Sequence, residues 1–364
     1  MDFCGLLQGC HASHGIKVWV ESLFFRYAIR DDSIMTTLLL SHSLHAERGA
    51  DLAAEARRMG LPLELVALPA DAEARLADTD CARIELAFFS SDVFPTHARQ
   101  FFSAVRKAPG LRWLQVFNAG VDHPIYTEML ERGVRLTTSA GAAAEPIAQT
   151  AIGGLLLLAR NFPRWLAGQR ERRWDPMRVP DFPRDLVGQT ALIFGVGRIG
   201  SAIARLAQAL GLKVIGVRRG PRQPGDPVDE LHPPRQLAEL LPRADWLIIA
   251  SPLTAETRGL IDAAMLARLP AGARIINIAR GEIIDETALI AALRERRLAG
   301  AYLDVFAQEP LAADSPLWNL PDVIVSPHNA AAASGNDERV YRMFIENLGR
   351  WHRGEALVQE VFKV

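Results

Sequence analysis

Short apolar runs alternate with amphipathic helical segments along most of this chain, in two successive series. Runs that are apolar throughout predict strands buried on both faces, and helices between them predict parallel sheets covered on both sides. The first series begins directly after Met35 with "TTLLLS", and the second begins near Thr190 with "TALIFGVG". Because the chain has 364 residues, we predict two doubly wound parallel-sheet α/β domains.

The two predicted domains are interleaved along the chain. The second, at residues 140–330, is inserted into the first, which comprises residues 35–139 and 331–364. A long apolar helix candidate, "AAAEPIAQTAIGGLLLLAR", leads into the inserted domain, and a final helix returns from it. Residues 1–34 fit neither series and lack the basic start and apolar core of a signal peptide, so we predict an N-terminal appendage outside the fold.

Composition argues against several classes of function. A net charge of -1 favours neither nucleic acid nor an anionic membrane, and no apolar run approaches the ~18 residues of a membrane span. Three cysteines cannot make a disulfide framework, which predicts a reducing cytoplasm. The spacing of Cys4, Cys10, His11 and His14 matches no usual zinc pattern, so we predict no metal site.

A glycine pattern follows the first strand of the second series. In "LIFGVGRIGSAIA", Gly195, Gly197 and Gly200 form G-x-G-x-x-G between an apolar strand and a segment with helical periodicity. Glycines at these positions permit a tight turn and let the backbone and the helix N-terminus approach a pyrophosphate. The context predicts a dinucleotide-binding loop; the alternative is a turn with no ligand.

Two arginines stand where such folds usually carry an acid. In NAD-binding folds a carboxylate about 20 residues after the glycine pattern binds the ribose hydroxyls. Here that position is Arg218, with Arg219 beside it, and the next acid is Asp226 in a proline-rich loop. Guanidinium groups match the oxygens of an adenosine 2′-phosphate. We therefore predict NADP(H) in preference to NAD(H), the alternative being arginines that only face solvent.

Three further polar residues follow strands of the second series. Arg280 comes just after the fourth apolar run, Glu309 beyond the fifth and His328 beyond the last. The carboxyl ends of parallel strands lie at one edge of a sheet, where open α/β sheets bind ligands. Each residue alone has an ordinary structural explanation, but together they predict a catalytic site beside the glycine loop.

From Met35 to its end, the chain resembles the D-isomer-specific 2-hydroxyacid dehydrogenase family. The resemblance rests on "FNAGVDH", "LLLLAR", "LVGQTALIFGVGRIG", "SPLTAETRGLI", "NIARGEIIDETAL", "YLDVFAQEPL" and "SPLWNLPDVIVSPH", in the family's order. It implies a Rossmann cofactor domain inserted into a flavodoxin-like substrate domain, an NAD(P)-dependent oxidoreductase similar to glyoxylate and hydroxypyruvate reductases, and a homodimer formed through the cofactor domains.

The resemblance also implies roles for the three polar residues. His328 would be the general acid that protonates the carbonyl oxygen of a 2-oxo acid, since an imidazole exchanges protons near neutral pH. Glu309 would hold the other ring nitrogen and favour the imidazolium, and Arg280 would bind the substrate carboxylate and polarise the carbonyl. The nicotinamide would carry the hydride.

Further site residues are assigned by position in the family's motifs. Gly120 and Val121 of "NAGVDH" would offer backbone N–H groups to the substrate carboxylate, with Asn118 lining the same site. Around the three glycines and the two arginines, the cofactor site would also include Arg198, Ile199, Ser251, Pro252, Thr254, Ile278, Ala279 and Asp304.

These observations predict reduction of a small 2-oxo acid, glyoxylate or hydroxypyruvate, to its D-2-hydroxy acid in a cleft between the domains. Two alternatives remain open. A nucleotide-sensing regulator, similar to corepressors of this fold group, would bind the cofactor without turnover. An NAD-linked dehydrogenase of a larger phosphorylated 2-hydroxy acid would work better with NADH than with NADPH.

Overall fold

The computed structural model describes residues 35–121 and 123–362, which form two compact units. The first unit contains the described residues up to Phe117, His123–Thr138 and the chain from Val340 onward. The second contains residues 118–121 and Ser139–Arg339. The predicted appendage at residues 1–34, with Cys4, Cys10, His11 and His14, lies outside the described residues.

The secondary structure alternates between strands and helices, as the apolar runs predict. The strands are β1 (Thr36–Leu40), β2 (Leu63–Ala67), β3 (Leu86–Phe89), β4 (Trp113–Val116), β5 (Arg135–Thr137), β6 (Thr190–Phe194), β7 (Lys213–Val217), β8 (Glu230–His232), β9 (Trp246–Ile249), β10 (Arg274–Asn277), β11 (Gly300–Leu303), β12 (Val323–Val325) and β13 (Glu360–Val361). The helices are α1 (His42–Met59), α2 (Asp78–Arg83), α3 (Ala98–Arg106), α4 (Pro124–Glu131), α5 (Ala144–Ala159), α6 (Phe162–Arg170), α7 (Arg198–Ala209), α8 (Leu237–Leu240), α9 (Ala263–Arg268), α10 (Glu286–Arg294) and α11 (Asn336–His352). None of these helices is long and apolar enough to cross a membrane.

The sheet of the first unit has the strand order β13-β5-β4-β3-β1-β2. Strands β1 to β5 are parallel, and β13 is added antiparallel to β5 at one edge. Read from β2, the parallel strands follow the order 2-1-3-4-5, which is the flavodoxin-like arrangement. The described C-terminal strand therefore completes the sheet that the first part of the chain begins.

Helix α11 brings the C-terminal part of the chain back to the first unit through both apolar and polar contacts. The ring of Phe344 stacks on Phe88 with centroids 4.3 Å apart. Beside it, the fully buried Asn347 donates to Gln115 Oε1 at 3.0 Å, and its own oxygen accepts from the backbone N–H of Val358 at 2.7 Å. Buried polar groups need such partners, so this network specifies how α11 is placed.

The sheet of the second unit has the strand order β12-β11-β10-β9-β6-β7-β8, and its pairs are all parallel. Counted from β6, this is the Rossmann order 3-2-1-4-5-6 with one further strand at the β12 edge. The predicted fold class, two parallel-sheet α/β domains with a Rossmann fold in the second, is confirmed.

Both faces of the second sheet are buried, which explains why its strands are apolar at consecutive positions. Leu192 of β6 belongs to one core cluster, together with residues of α9 and α10. The next residue, Ile193, belongs to a second cluster, together with residues of α5 and α7. Successive side chains of a strand point to opposite faces, so a sheet covered by helices on both sides needs apolar residues at every position.

Helix α5 packs closely against β11 at a glycine. A Cβ added at Gly154 would stand 2.4 Å from Cγ of Tyr302, so only glycine lets the tyrosine ring lie against this helix. The neighbouring Gly153 is in a different position, because a Cβ there would meet no described heavy atom within 4 Å. The two adjacent glycines therefore have different physical roles.

We expect Gly154→Ala to lower the free energy of unfolding by about 1–3 kcal/mol, because the added methyl group overpacks a close contact. Gly153→Ala is the matched control: it should raise stability by up to about 1 kcal/mol, since alanine has the higher helix propensity. Urea-unfolding midpoints of the two variants, measured beside the parent protein, test this. Equal midpoints for the two variants would contradict the packing argument.

Candidate active site

The polar residues predicted from strand ends lie at one edge of the second sheet. Strands β6, β7, β9, β10, β11 and β12 are parallel, so their carboxyl ends meet at the same edge. The glycine loop follows β6 and Arg218 follows β7, while Arg280, Glu309 and His328 come after β10, β11 and β12. One structural feature, the parallel sheet, thus gathers residues that are up to 133 positions apart in sequence (328 − 195).

The three glycines of the loop do different things. Gly195 has a φ of 104°, and a Cβ there would stand 2.5 Å from the backbone nitrogen of Ser251, at the switch point between β6 and β9. A Cβ at Gly200 would stand 2.1 Å from the carbonyl oxygen of Gly195. Beside Gly197, by contrast, the described residues leave the Cβ position open to 4 Å. Two glycines therefore allow close packing, and the third leaves room for a ligand.

A groove of about 450 Å³ lies against this loop. Gly197 and Ser201 line it together with three arginines, Arg198, Arg205 and Arg218. Gly197 precedes the first turn of α7, whose N–H groups have no intrahelical acceptors. A helix N-terminus, an open glycine and arginine side chains are the features that a dinucleotide pyrophosphate needs, so the groove fits the predicted cofactor.

Arg218 reaches this groove, but its guanidinium is already bound by an acid. Nη1 and Nη2 donate to the two carboxylate oxygens of Asp226 at 2.8 and 2.6 Å. This hydrogen bonding holds the pKa of Asp226 below its usual range. Arg219 instead forms an ion pair with Glu256, and both of these side chains are well exposed. The sequence placed the two arginines together, but the structure gives them different surroundings.

The other residues assigned to the cofactor lie in turns and in the core. Pro252 and Thr254 belong to a turn after β9 in which Thr257 Oγ1 donates to the carbonyl of Pro252 and accepts from the N–H of Thr254, both at 2.8 Å. Ser251, at the start of the turn, is buried. Ile278 is also buried and belongs to a core cluster, whereas Ile199 and Ala279 are half-buried. Their contacts with a cofactor stay predictions.

Glu309 and His328 form the predicted pair. Nδ1 of His328 lies 2.7 Å from Oε2 of Glu309. The other carboxylate oxygen of Glu309 accepts from the backbone N–H of Phe306 at 3.0 Å, so the acid is held by its own loop. With Nδ1 directed at the glutamate, Nε2 is the nitrogen that the half-exposed imidazole can present to a substrate. This is the arrangement of a general acid whose orientation is set by a carboxylate.

The backbone of His328 is held in an unusual conformation. Its φ is 54°, a left-handed value that costs a non-glycine residue about 1–3 kcal/mol unless its surroundings enforce it. Its N–H donates to the carbonyl oxygen of Asp304 at 2.8 Å. The buried carboxylate of Asp304 accepts from the N–H groups of Asn329 and Ala330, both at 2.9 Å. Asp304 therefore supports the turn that carries the histidine.

Two residues that the sequence analysis missed extend this support. The hydroxyl of Tyr302 lies 2.7 Å from Oγ of Ser326, which in turn donates to Asp304 Oδ1 at 2.6 Å. Burial raises the pKa of the Tyr302 phenol, so the phenol stays protonated and can donate to Ser326. Tyr302 precedes Asp304 by two residues and Ser326 precedes His328 by two. A polar residue within one apolar strand and another directly after the next strand, each two positions before a site residue, were the available signal.

Arg280 is positioned by two neighbours that the sequence analysis also passed over. The buried Asn277 donates from Nδ2 to the carbonyl of Arg280 at 3.0 Å and accepts from the N–H of Ala279 at 3.1 Å. A Cβ added at Gly281 would stand 1.9 Å from the carbonyl carbon of Phe306. The Arg280 loop therefore packs directly on the loop that leads to Glu309, which holds the arginine and the acid on adjacent segments.

Asn118 makes hydrogen bonds that shape the predicted substrate loop. The side-chain amide of Asn118 donates to the carbonyl of Gly120, and the carbonyl of Asn118 accepts from the N–H of Ser139 at 3.1 Å. Val121 is half-buried in the same loop. Because the side chain of Asn118 is used in shaping the loop, backbone N–H groups are the better candidates for anion binding. The contact of this loop with a substrate stays a prediction.

Comparison with known proteins identifies the family to which this arrangement belongs. Residues 152–330 match the family described as "D-isomer specific 2-hydroxyacid dehydrogenase, NAD binding domain". A glyoxylate reductase of Korarchaeum cryptofilum is 35% identical over 268 residues, which cover 71% of this chain and 79% of that protein.

Solved structures resemble the chain over most of its length. A D-isomer specific 2-hydroxyacid dehydrogenase of Xanthobacter autotrophicus Py2, in complex with NADPH and MES, has a TM-score of 0.71 at 30% identity and covers 90% of this chain and 97% of its own. An NADPH-dependent glyoxylate/hydroxypyruvate reductase of Sinorhizobium meliloti, in complex with NADP and sulfate, has a TM-score of 0.71 at 26% identity. This match covers 90% of the present chain and 98% of the reductase. The chain thus belongs to the D-isomer specific 2-hydroxyacid dehydrogenase family and is an NAD(P)-dependent oxidoreductase that interconverts 2-oxo and 2-hydroxy acids.

Proposed function

We propose that this protein reduces glyoxylate or hydroxypyruvate to the D-2-hydroxy acid with NADPH. The observation that carries the proposal is the 2.7 Å pair between His328 and Glu309, on the sheet edge that also bears Arg280 and the glycine loop. A similar protein is named glyoxylate reductase, and a similar structure is named glyoxylate/hydroxypyruvate reductase, which supports small 2-oxo acids as substrates.

The residues divide the chemistry among them. The guanidinium of Arg280 binds the substrate carboxylate through its fork of N–H donors and orients the adjacent carbonyl. Nε2 of His328 donates a proton to the carbonyl oxygen, while Glu309 holds Nδ1. The bound nicotinamide supplies the hydride. The glycine loop and the N-terminus of α7 would hold the pyrophosphate, at the same sheet edge as these side chains.

The preference for NADPH rests on the position of Arg218. It follows β7 and lines the groove beside Gly197, and Rossmann folds bind the adenosine ribose at the end of this strand. Two of the similar structures are described with NADPH or NADP, which supports the same choice here. Since cellular NADP pools usually serve reduction, we infer that the reaction runs toward the hydroxy acid.

Steady-state kinetics with NADPH and NADH, each against glyoxylate, hydroxypyruvate, pyruvate and phenylpyruvate, tests the proposal. We expect kcat/KM to be highest with NADPH and either glyoxylate or hydroxypyruvate. Equal efficiency with the two cofactors would contradict the cofactor preference. A higher efficiency with NADH would favour the NAD-linked enzyme for a larger phosphorylated acid, and cofactor binding without turnover of any acid would favour a nucleotide sensor.

The role of His328 has a matched control in the second unit. His328→Ala should lower kcat by about 10²–10⁴-fold, the usual contribution of a general acid, while the Kd for NADPH stays at its parent value. His232 also lies beside a glutamate, with Nε2 3.1 Å from Glu230 Oε2, but it belongs to edge strand β8. His232→Ala should therefore retain most turnover. A His328→Ala enzyme with parent kcat across neutral pH would refute the assignment.

We also propose that the protein acts in the cytoplasm as a homodimer formed through the second unit. Large apolar residues are exposed along residues 174–187, namely Trp174, Val179, Phe182 and Val187, and Trp174 is 94% exposed. Four large apolar side chains exposed within one segment of 14 residues make this segment our candidate for the surface that a second copy covers.

Replacing Trp174 tests the dimer. Trp174→Ser should shift the sedimentation coefficient toward that of a monomer, because it removes a large apolar contact from the proposed interface. Trp318, which is 50% exposed in another part of the same unit, provides the control. If Trp318→Ser dissociates the protein as readily as Trp174→Ser, or if the parent protein sediments as a monomer, the proposed interface is wrong.

A further inference from the structure

Arg218 has little hydrogen-bonding capacity left for a phosphate. Its Nε donates to the carbonyl of Gly220 at 3.3 Å, and Nη2 donates to the carbonyl of Pro221 at 2.5 Å. Nη1 and Nη2 also donate to the two oxygens of Asp226. A guanidinium has five N–H groups in a planar fork. Four of them point at protein acceptors here, and the two-pronged side that would match a phosphate faces Asp226.

Asp226 is well suited to keep this position. Its side chain is only 10% exposed, and that of Arg218 is 21% exposed, so solvent screens the pair weakly. The Oδ2 atom of Asp226 also accepts from the backbone N–H of Gln223 at 2.6 Å, which fixes the carboxylate within its own turn. Hydrogen bonding to Arg218 holds the pKa of Asp226 below its usual range, and the group is ionised at neutral pH.

The neighbouring arginine shows the contrasting case. Arg219 and Glu256 pair on the surface, with side chains 69% and 76% exposed. Exposed pairs contribute little and open readily. Glu256, which pairs with Arg219, would therefore change the affinity for a ligand only weakly. Asp226 binds Arg218 through both carboxylate oxygens, and it must be displaced before a phosphate dianion can bind the same guanidinium.

We propose that Asp226 determines cofactor specificity by competing with the 2′-phosphate of NADPH for the guanidinium of Arg218. The proposal rests on the NADPH preference proposed above and deepens it. The carboxylate weakens binding of the phosphorylated cofactor and leaves binding of NAD(H) unaffected, so this chain discriminates less between the two cofactors than Arg218 alone would allow.

Replacing the carboxylate with an amide of the same shape tests the proposal. Asp226→Asn removes the charge and keeps an oxygen that can accept from Gln223; Asp226→Ser removes the carboxylate by a second route if the first variant does not fold. Isothermal titration calorimetry with NADP⁺ and with NAD⁺ provides a readout that needs no turnover. We expect Asp226→Asn to bind NADP⁺ about tenfold more tightly, since the 2′-phosphate no longer has to displace a carboxylate from the guanidinium of Arg218. The Kd for NAD⁺ should be unchanged.

Two controls separate local competition from a general change in charge. Glu256→Gln removes the same single charge from the exposed pair and should change the Kd for NADP⁺ by no more than about twofold, as expected for a screened surface pair. In an Arg218→Gln background, Asp226→Asn should give no gain, because the two side chains act through one contact.

Other outcomes overturn the proposal. An unchanged Kd for NADP⁺ in Asp226→Asn would show that the carboxylate does not compete with the phosphate. A higher Kd would show that Asp226 positions Arg218 for the phosphate. Weaker binding of NAD⁺ would show that the carboxylate binds the ribose hydroxyls. The preference for NADPH is judged separately, on the parent protein: if that protein binds NAD⁺ as tightly as NADP⁺, the cofactor proposal fails, while a gain of NADP⁺ affinity in Asp226→Asn still supports the competition.

Discussion

Parallel pairing in the second sheet is the constraint on which the site depends. Parallel strands leave their carboxyl ends at one edge, and burial of both faces under helices leaves that edge as the place where polar side chains can meet a ligand. Arg280, Glu309 and His328 come from three adjacent strands of this sheet. Their distance in sequence is therefore no obstacle, because the register of β10, β11 and β12 carries the three loops to the same level.

Glycines, which have no side chain, allow the loops at this edge to pack closely on one another. Gly195 lets the loop after β6 lie on the backbone of Ser251, and Gly281 lets the Arg280 loop lie on the backbone of Phe306. A Cβ at either position would collide with the backbone of the neighbouring loop. Glycine is therefore needed because of this contact and not because of its own strand or helix. Gly197 differs because the space beside it is open. Open space suits the binding of a ligand, whereas a packing contact would fill it.

Charges in the second unit are held in two distinct ways. Asp304 is buried and accepts from Ser326 and from two backbone N–H groups, so hydrogen bonds from neutral donors fix the turn of His328. Asp226 instead pairs with Arg218 and occupies the fork that a phosphate would use. The first carboxylate makes the catalytic turn rigid, whereas the second sets up a choice between an internal anion and a cofactor. Both effects depend on groups that are shielded from solvent. An exposed pair such as Arg219 with Glu256 contributes little free energy, so little is gained or lost when it opens.

By itself, the sequence determined the α/β class, the glycine loop and the three residues at strand ends, because period, glycine spacing and strand length are local properties that a single chain displays. Only the tertiary structure decided how these residues are held. Asn277 acts within its own turn, whereas Gly281, Tyr302 and Ser326 act through contacts between segments that are distant in sequence. The sequence displays these residues, but it does not name the partners that they meet. The same holds for Arg218. The sequence predicts a cation available for a phosphate, whereas in the fold its guanidinium is hydrogen-bonded to Asp226. An ion pair between residues eight positions apart depends on how the intervening turn closes, and that is set by the three-dimensional packing of the loop after β7.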